Sequence, residues 1–178
     1  MKFYLSGGME YKKNLGTAWR DWLSQRLQEL HHDAINPVKL EVAEEEEGFG
    51  GVPLQVKLTE LKAEGKLNEV RKLVRKTLFR KDMFAIQLAD AIVVYYDESV
   101  QKGAGTLSES WEAFREGRPV YLVTDFPMEK VPTWLIGETT AIFKDFEEFL
   151  EYVKDHSYII RDQMHAQKVR DEVLGGLY

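Results

Sequence analysis

Ala91-Ile92-Val93-Val94-Tyr95-Tyr96, followed a few residues later by Gly103-Ala104-Gly105-Thr106-Leu107-Ser108-Glu109, is the stretch that decides the fold. An uninterrupted apolar run of this length, bounded by polar residues and glycine, reads as a strand buried on both faces. The glycine-rich stretch reads as a turn. The residues after it read as a helix whose first turn holds Glu109. Strand, turn and helix in that order make half of a parallel βαβ unit. In an open α/β sheet, ligands bind beyond the carboxyl ends of the strands, where such turns lie. Glu109 is therefore expected to face a ligand rather than the core. The positive end of the helix dipole should favour its ionised form.

The same alternation continues on both sides. Phe3-Tyr4-Leu5 is a short strand and Ser6-Gly7-Gly8 a tight turn. Leu15, Trp19, Trp22, Leu23, Leu27 and Leu30 then fall on one helical face. Ala34-Ile35-Asn36-Pro37 reads as a second strand stopped by proline. Helical spacing runs from about 57 to 88, broken near Gly65, with Val70, Leu73, Val74, Leu78, Met83, Phe84 and Leu88 as its apolar side. The helix over 106–116 ends near Gly117. Pro119-Val120-Tyr121-Leu122-Val123 and Thr140-Ala141-Ile142-Phe143 supply two more strands. Phe146, Phe149, Leu150 and Val153 face inward on the next helix, and 158–173 forms a last one. Five short strands alternating with helices predict an α/β fold. The expected sheet is doubly wound, parallel and flavodoxin-like or Rossmann-like, in the order 2-1-3-4-5. One domain is expected over 1–178, with a loop insertion at about 38–56 and a C-terminal helix and tail at about 158–178.

Composition narrows the function classes. With 44% hydrophobic and 30% charged residues the chain reads as globular, and no apolar stretch approaches the roughly 20 residues of a membrane span. Lys2-Phe3-Tyr4-Leu5 reads as a strand rather than as the apolar core of a signal peptide. The absence of cysteine fits a cytoplasmic protein and excludes thiolate metal sites. A net charge of −6 argues against a nucleic-acid binder. Residues 57–81 nevertheless carry nine Lys/Arg against three acids. That run is either a solvated helix face or a local field that draws in an anionic substrate.

The familiar signatures are missing. Gly7-Gly8 follows a strand without the full dinucleotide fingerprint, there is no phosphate-loop lysine motif, and no Ser has a nucleophile-elbow context. His31, His32, His156 and His165 lack metal-ligand spacing, so neither metal nor organic cofactor is expected. What remains is a set of groups at strand ends: Glu109 at the centre, Asp82 on the helix feeding the central strand, Tyr4 at the end of the first strand, and Asp97 after the central strand. Asp97 could equally be a turn former. Ser6, Gly7, Gly8 and Ser108 offer either a phosphate-binding nest or ordinary turn and cap positions.

These elements resemble the nucleoside 2-deoxyribosyltransferase superfamily. The resemblance runs through Tyr4-Leu5-Ser6-Gly7-Gly8, Asp82 to Ile86, Asp90-Ala91-Ile92-Val93-Val94, Gly105-Thr106-Leu107-Ser108-Glu109 with Ala113, and Gly117-Arg118-Pro119-Val120. It implies that Glu109 attacks the anomeric carbon of a deoxyribosyl group, that Tyr4 orients it, and that Asp82 assists at the nucleobase. It also implies a site contribution from the C-terminal Tyr178 and a homo-oligomer whose subunits complete each other's sites; Trp19, Trp22, Trp111 and Trp134, expected to be exposed, point to oligomerisation as well. Gly103 and Gly105 would let the backbone approach the sugar. Gly103 stands where some members carry an Asp, and Trp111 where glycine is common. The expected ligands are a small-molecule nucleoside or nucleotide and a free nucleobase. A transferase, a hydrolase of deoxynucleoside 5′-monophosphates, a non-catalytic nucleotide-binding domain and an interaction protein that uses the basic helix all stay open at this point.

Overall fold

A computed structural model of the chain describes residues 1–12, 14–40 and 54–156. Its five strands are β1 (Lys2–Gly7), β2 (Asp33–Ile35), β3 (Ala91–Tyr95), β4 (Val120–Val123) and β5 (Ala141–Phe143). They form one parallel sheet in the order β2-β1-β3-β4-β5. The fold is thus the doubly wound α/β arrangement expected from the sequence. The helices are α1 (Thr17–Glu29), α2 (Leu54–Ala63), α3 (Leu67–Val74), α4 (Arg80–Leu88), α5 (Gly105–Arg115), α6 (Thr133–Glu138) and α7 (residues 146–156). A π-helical turn, Arg75–Phe79, joins α3 to α4.

Strand alternation sorts the core into two layers. Phe3, Leu5, Val93, Tyr121 and Val123 pack with Leu23 and Leu27 of α1 and with Phe149 and Val153 of α7. Tyr4, Ile92, Val94, Val120 and Leu122 pack on the other face with Ala85, Ile86, Ala113 and Leu135. The second layer matters for the site, because Tyr4 and Ser6 stand two residues apart on the face that α5 covers.

Two helices end by the same device. Gly65 (φ +69°) and Gly117 (φ +70°) lie in the left-handed region, which glycine enters without a Cβ clash. Around Gly65, the N–H of Lys66 reaches the Leu61 carbonyl and that of Gly65 reaches Lys62; Arg118 with Ala113 and Gly117 with Phe114 repeat the pattern. This is the double bond of a Schellman cap. Helix α7 starts differently: Asp145 Oδ1 accepts from the Glu148 N–H at 2.8 Å, and Glu148 accepts from the Lys144 N–H at 2.8 Å.

Several expectations are corrected. β1 extends to Gly7, so Ser6 and Gly7 belong to the strand and Tyr4 lies within it rather than at its end. Residues 37–40 form a helical turn and α2 begins at Leu54, which trims the expected 38–56 loop at both ends; 41–53 lie outside the described residues. The apolar side expected for 57–88 is not all core: Phe84 is 60% and Leu88 53% exposed, because Ala85 and Ile86 turn to the sheet instead. Trp19 and Trp22 are not surface aromatics. Trp19 stacks on Phe146 at 5.4 Å between ring centroids and Trp22 tilts against the same ring at 6.0 Å. The helix expected over 158–173, and Tyr178, lie outside the described residues.

Candidate active site

The site begins with the pleat of β1. Residues i and i+2 of a strand share a face, so the hydroxyls of Tyr4 and Ser6 both project toward α5. Helix α5 starts at Gly105, which puts Glu109 in its second turn rather than its first. From there its carboxylate reaches back over the strand end. Tyr4 Oη donates to Glu109 Oε1 at 2.9 Å, and Ser6 Oγ donates to Oε2. Each carboxylate oxygen therefore has its own hydroxyl donor, which fixes the group in rotation and position.

Electrostatics at this carboxylate are mixed. Burial raises the Glu109 pKa above the ordinary glutamate value, and this outweighs the lowering by the Ser6 and Tyr4 hydrogen bonds and by the charges of Arg20 and Lys81. The ionised form is thus less favoured than the helix dipole alone suggests. The Tyr4 hydroxyl is pushed well above its ordinary value, first by burial and then by the negative charges of Glu109 and Asp82. It stays protonated and remains a donor.

Arg20 escaped the sequence reading and holds this corner together. It is fully buried. Its Nε donates to the Leu5 carbonyl at 3.1 Å and its Nη2 to the Gly7 carbonyl at 2.7 Å, on either side of Ser6. Its Nη1 donates to the carbonyls of Leu15 at 2.8 Å and Gly16 at 3.2 Å, where the chain enters α1. One guanidinium thus ties the end of β1 to the start of α1. An arginine on the apolar face of a helix, three residues before Leu23, was the available signal.

A cleft opens beside Glu109 at the carboxyl edge of the sheet. It holds about 640 Å³ of space, in part open to solvent. Glu109, Asp82, Gly7, Gly8, Gly103 and Gly105 line it. Tyr4 and Ser6 stand behind Glu109 and hold its carboxylate. Gly105 has open space where a Cβ would be, so the helix start leaves room for a ligand. Gly7 and Gly8 have a different reason to be glycine. A Cβ on Gly7 would sit 2.9 Å from the Trp19 ring, and one on Gly8 1.9 Å from Ser99 Oγ. Asp97 and Ser108 are not part of this wall. Asp97 is turned to Lys12, with which it forms an ion pair, and accepts from the Ser99 N–H at 2.9 Å. Ser108 is exposed on the next side of α5 and donates its N–H to Ala104. The cleft also recruits Glu10, Tyr11 and Gln55, which the sequence did not single out, together with Leu78 from the expected apolar side and Lys81 from the basic run. Lys62 bonds Glu10 at 3.0 Å and so links α2 to the segment after β1. Among the described residues no cluster of His, Cys, Asp and Glu could hold a metal ion, and no helix is long and apolar enough to cross a membrane.

No protein-family model matches the chain, and no curated protein matches it. Among solved structures, a 2-deoxyribosyltransferase from the psychrotolerant bacterium Bacillus psychrosaccharolyticus is similar, with a TM-score of 0.60 over 89% of this chain and 94% of that one. The two sequences are 19% identical. The chain has the fold of that transferase.

Proposed function

We propose that the chain belongs to the nucleoside 2-deoxyribosyltransferase superfamily and transfers 2-deoxyribose between nucleobases, with Glu109 as nucleophile. The observation that carries this reading is the Glu109 carboxylate held by Tyr4 and Ser6 at the wall of an open cleft, with Asp82 on the same wall. Among the described residues no cation pairs with Glu109 at hydrogen-bonding distance, so an oxygen lone pair is available to an electrophile. The similar fold of a 2-deoxyribosyltransferase supports the same assignment.

In this mechanism a Glu109 oxygen attacks the anomeric carbon as the carbon–nitrogen bond breaks. The bonding pair leaves with the base nitrogen, which takes a proton from Asp82. An acceptor base then attacks the same carbon from the face just vacated and returns a proton to Asp82, and the Glu109 oxygen departs with its pair. Two inversions give net retention. Tyr4 and Ser6 keep the carboxylate aimed during both steps, and Gly103 and Gly105 leave space for the sugar. Self-association would use the surface of Trp111 and Trp134, 42% and 72% exposed with ring centroids 5.8 Å apart.

The test is direct. Incubated with a 2′-deoxynucleoside and a different free base, the protein should form the new nucleoside, and Glu109→Gln should form none while keeping its fold. Normal exchange by that variant would end the proposal. Lys81 supports a second reading. It lines the cleft and has no ion-pair partner among the described residues, which suits a 5′-phosphate. If a deoxynucleoside 5′-monophosphate yields free base without any acceptor, whereas the nucleoside does not react, the protein is an N-glycosidase.

A further inference from the structure

Outside the cleft, the row Lys76, Arg80, Phe84 and Leu88 climbs the outer side of the π turn and α4 at a spacing of four. Residues four apart on a helix are surface neighbours, so this row presents two cations followed by two apolar side chains. It borders a groove of about 1300 Å³, in part open to solvent, whose other lining residues are Lys2, Ile35, Leu40, Lys81 and Ala85. Phe84, Leu88 and Leu40 are 60%, 53% and 38% exposed. Apolar surface gathered in one concavity in this way is unusual for a face that stays in water.

The cations are as notable as the apolar floor. Lys2, Lys76, Arg80 and Lys81 have no side-chain ion pair or hydrogen bond among the described residues. Acids are not scarce, for the chain carries 30 Asp and Glu against 24 Lys and Arg. Elsewhere Arg26, Lys39, Lys62, Lys66 and Arg115 each find a carboxylate. Among the described residues the groove therefore gathers four cations without an ion-pair partner around an apolar floor. Neither feature alone selects a ligand class. Together, and segregated along one row, they match a molecule with an anionic head and a hydrocarbon body.

We propose that this groove binds a small amphipathic organic anion. Its phosphate, sulfate or carboxylate head lies at the Lys76 and Arg80 end, and its apolar body lies along Phe84, Leu88, Ile35 and Leu40. The site does not depend on the reaction assigned to the cleft, although Lys81 lines both and an occupant of one would touch the border of the other.

Isothermal titration of the full chain with octyl phosphate, below its micelle concentration, tests the idea against inorganic phosphate and octyl glucoside. Octyl phosphate is expected to saturate a single site at least ten times more tightly than either control. The exposed pair Lys76→Gln and Arg80→Gln should weaken octyl phosphate at least tenfold and leave octyl glucoside unchanged. Leu88→Gln should weaken octyl phosphate with the thermal melt preserved. Equal affinity for inorganic phosphate would reduce the site to a charged patch, and equal affinity for octyl glucoside to a greasy one; either overturns the proposal. So would light scattering that shows a dimer made monomeric by Leu88→Asp, because the groove would then be covered by a second copy.

Discussion

Glu109 combines two tendencies that oppose each other: burial makes its charge costly, and two hydroxyl donors recover part of that cost. The donors can be removed one at a time. Tyr4→Phe keeps the ring in its buried place and deletes only the hydroxyl. Losing a donor to the charged form raises the Glu109 pKa further, so the acid limb of the kcat/KM profile should move to higher pH. At a fixed pH on that limb the rate should fall on the order of tenfold or more, since a hydrogen bond to a charged group is worth about 1.5–3 kcal/mol. Ser6→Ala should act in the same direction. A profile unchanged in Tyr4→Phe would show that the bond does not support the ionised form. At this scale the sequence was legible where motif and topology agreed. Glu109, Gly103 and Gly105 were read at the carboxyl edge of the sheet from the strand, turn and helix order, and Asp82 from the helix feeding the central strand together with the family resemblance; all four line the cleft. Asp97 was misleading for a physical reason: an aspartate after a strand serves a turn as readily as a ligand, and here Lys12 and Ser99 occupy it. Arg20 was not legible, because its role depends on which chain segments pack against it, and Lys81 was legible only as one of the nine cations of the basic run.

The glycines of the first crossover show how an element can imitate a binding motif. Gly7-Gly8 after a strand suggests a phosphate turn, yet both positions are fixed by packing against Trp19 and Ser99. Gly8→Ala should therefore cost about 1–3 kcal/mol, as overpacking does, and lower the melting temperature by several degrees. Ser99→Gly in the same chain should recover part of the loss, because the hydroxyl and Cβ nearest the new methyl are gone. Failure of that rescue would return the glycine to a ligand-binding role. The end of α1 offers the opposite case. His31 takes φ +61° at the position where Gly65 and Gly117 end their helices, and its N–H and that of His32 bond Gln28 and Leu27 in the same double pattern. A left-handed conformation costs a residue with a Cβ about 1–2 kcal/mol. His31→Gly should therefore raise stability by up to about 1 kcal/mol, read as a higher urea midpoint with unchanged slope. The helix breaks at Gly65 and Gly117 were readable because glycine is the usual residue at such ends; the break after His31 carries no such mark. The π turn Arg75–Phe79 was also illegible, and it sets the phase by which Phe84 and Leu88 face outward rather than inward.

Across the whole molecule the strand order followed from few rules: five apolar runs, helical connections between them and right-handed crossovers leave little choice of topology. Which aromatic residues stay on the surface did not follow, because α1 and α7 pack on one sheet face and Phe146 of α7, with Tyr95 of β3 beside Trp19, partly covers Trp19 and Trp22. The assembled fold also sets how stability depends on pH. Glu109 and Glu138 are both raised above the ordinary glutamate value, in each case first by burial, with Ser110 donating to Glu138 at 2.6 Å in partial compensation. A carboxyl whose folded pKa is raised binds its proton more tightly folded than unfolded. Stability therefore falls as pH climbs from the ordinary carboxylate range through the raised values. Asp97 runs the other way. Burial raises it, but the hydrogen bonds from Lys12 and Ser99 and the Lys12 charge together hold it below its ordinary value, so its contribution is present above the unfolded pKa and lost as pH falls through the folded one. Glu109→Gln removes only the first kind of term. The variant should melt at a higher temperature than the parent at pH 8, the difference should shrink toward zero near pH 4, and both proteins should still lose stability on further acidification as Asp97 protonates. Thermal melts of the pair from pH 3 to pH 8 measure all three trends. A variant no more stable than the parent at pH 8 would mean that the Tyr4 and Ser6 hydroxyls fully offset the burial of the charge.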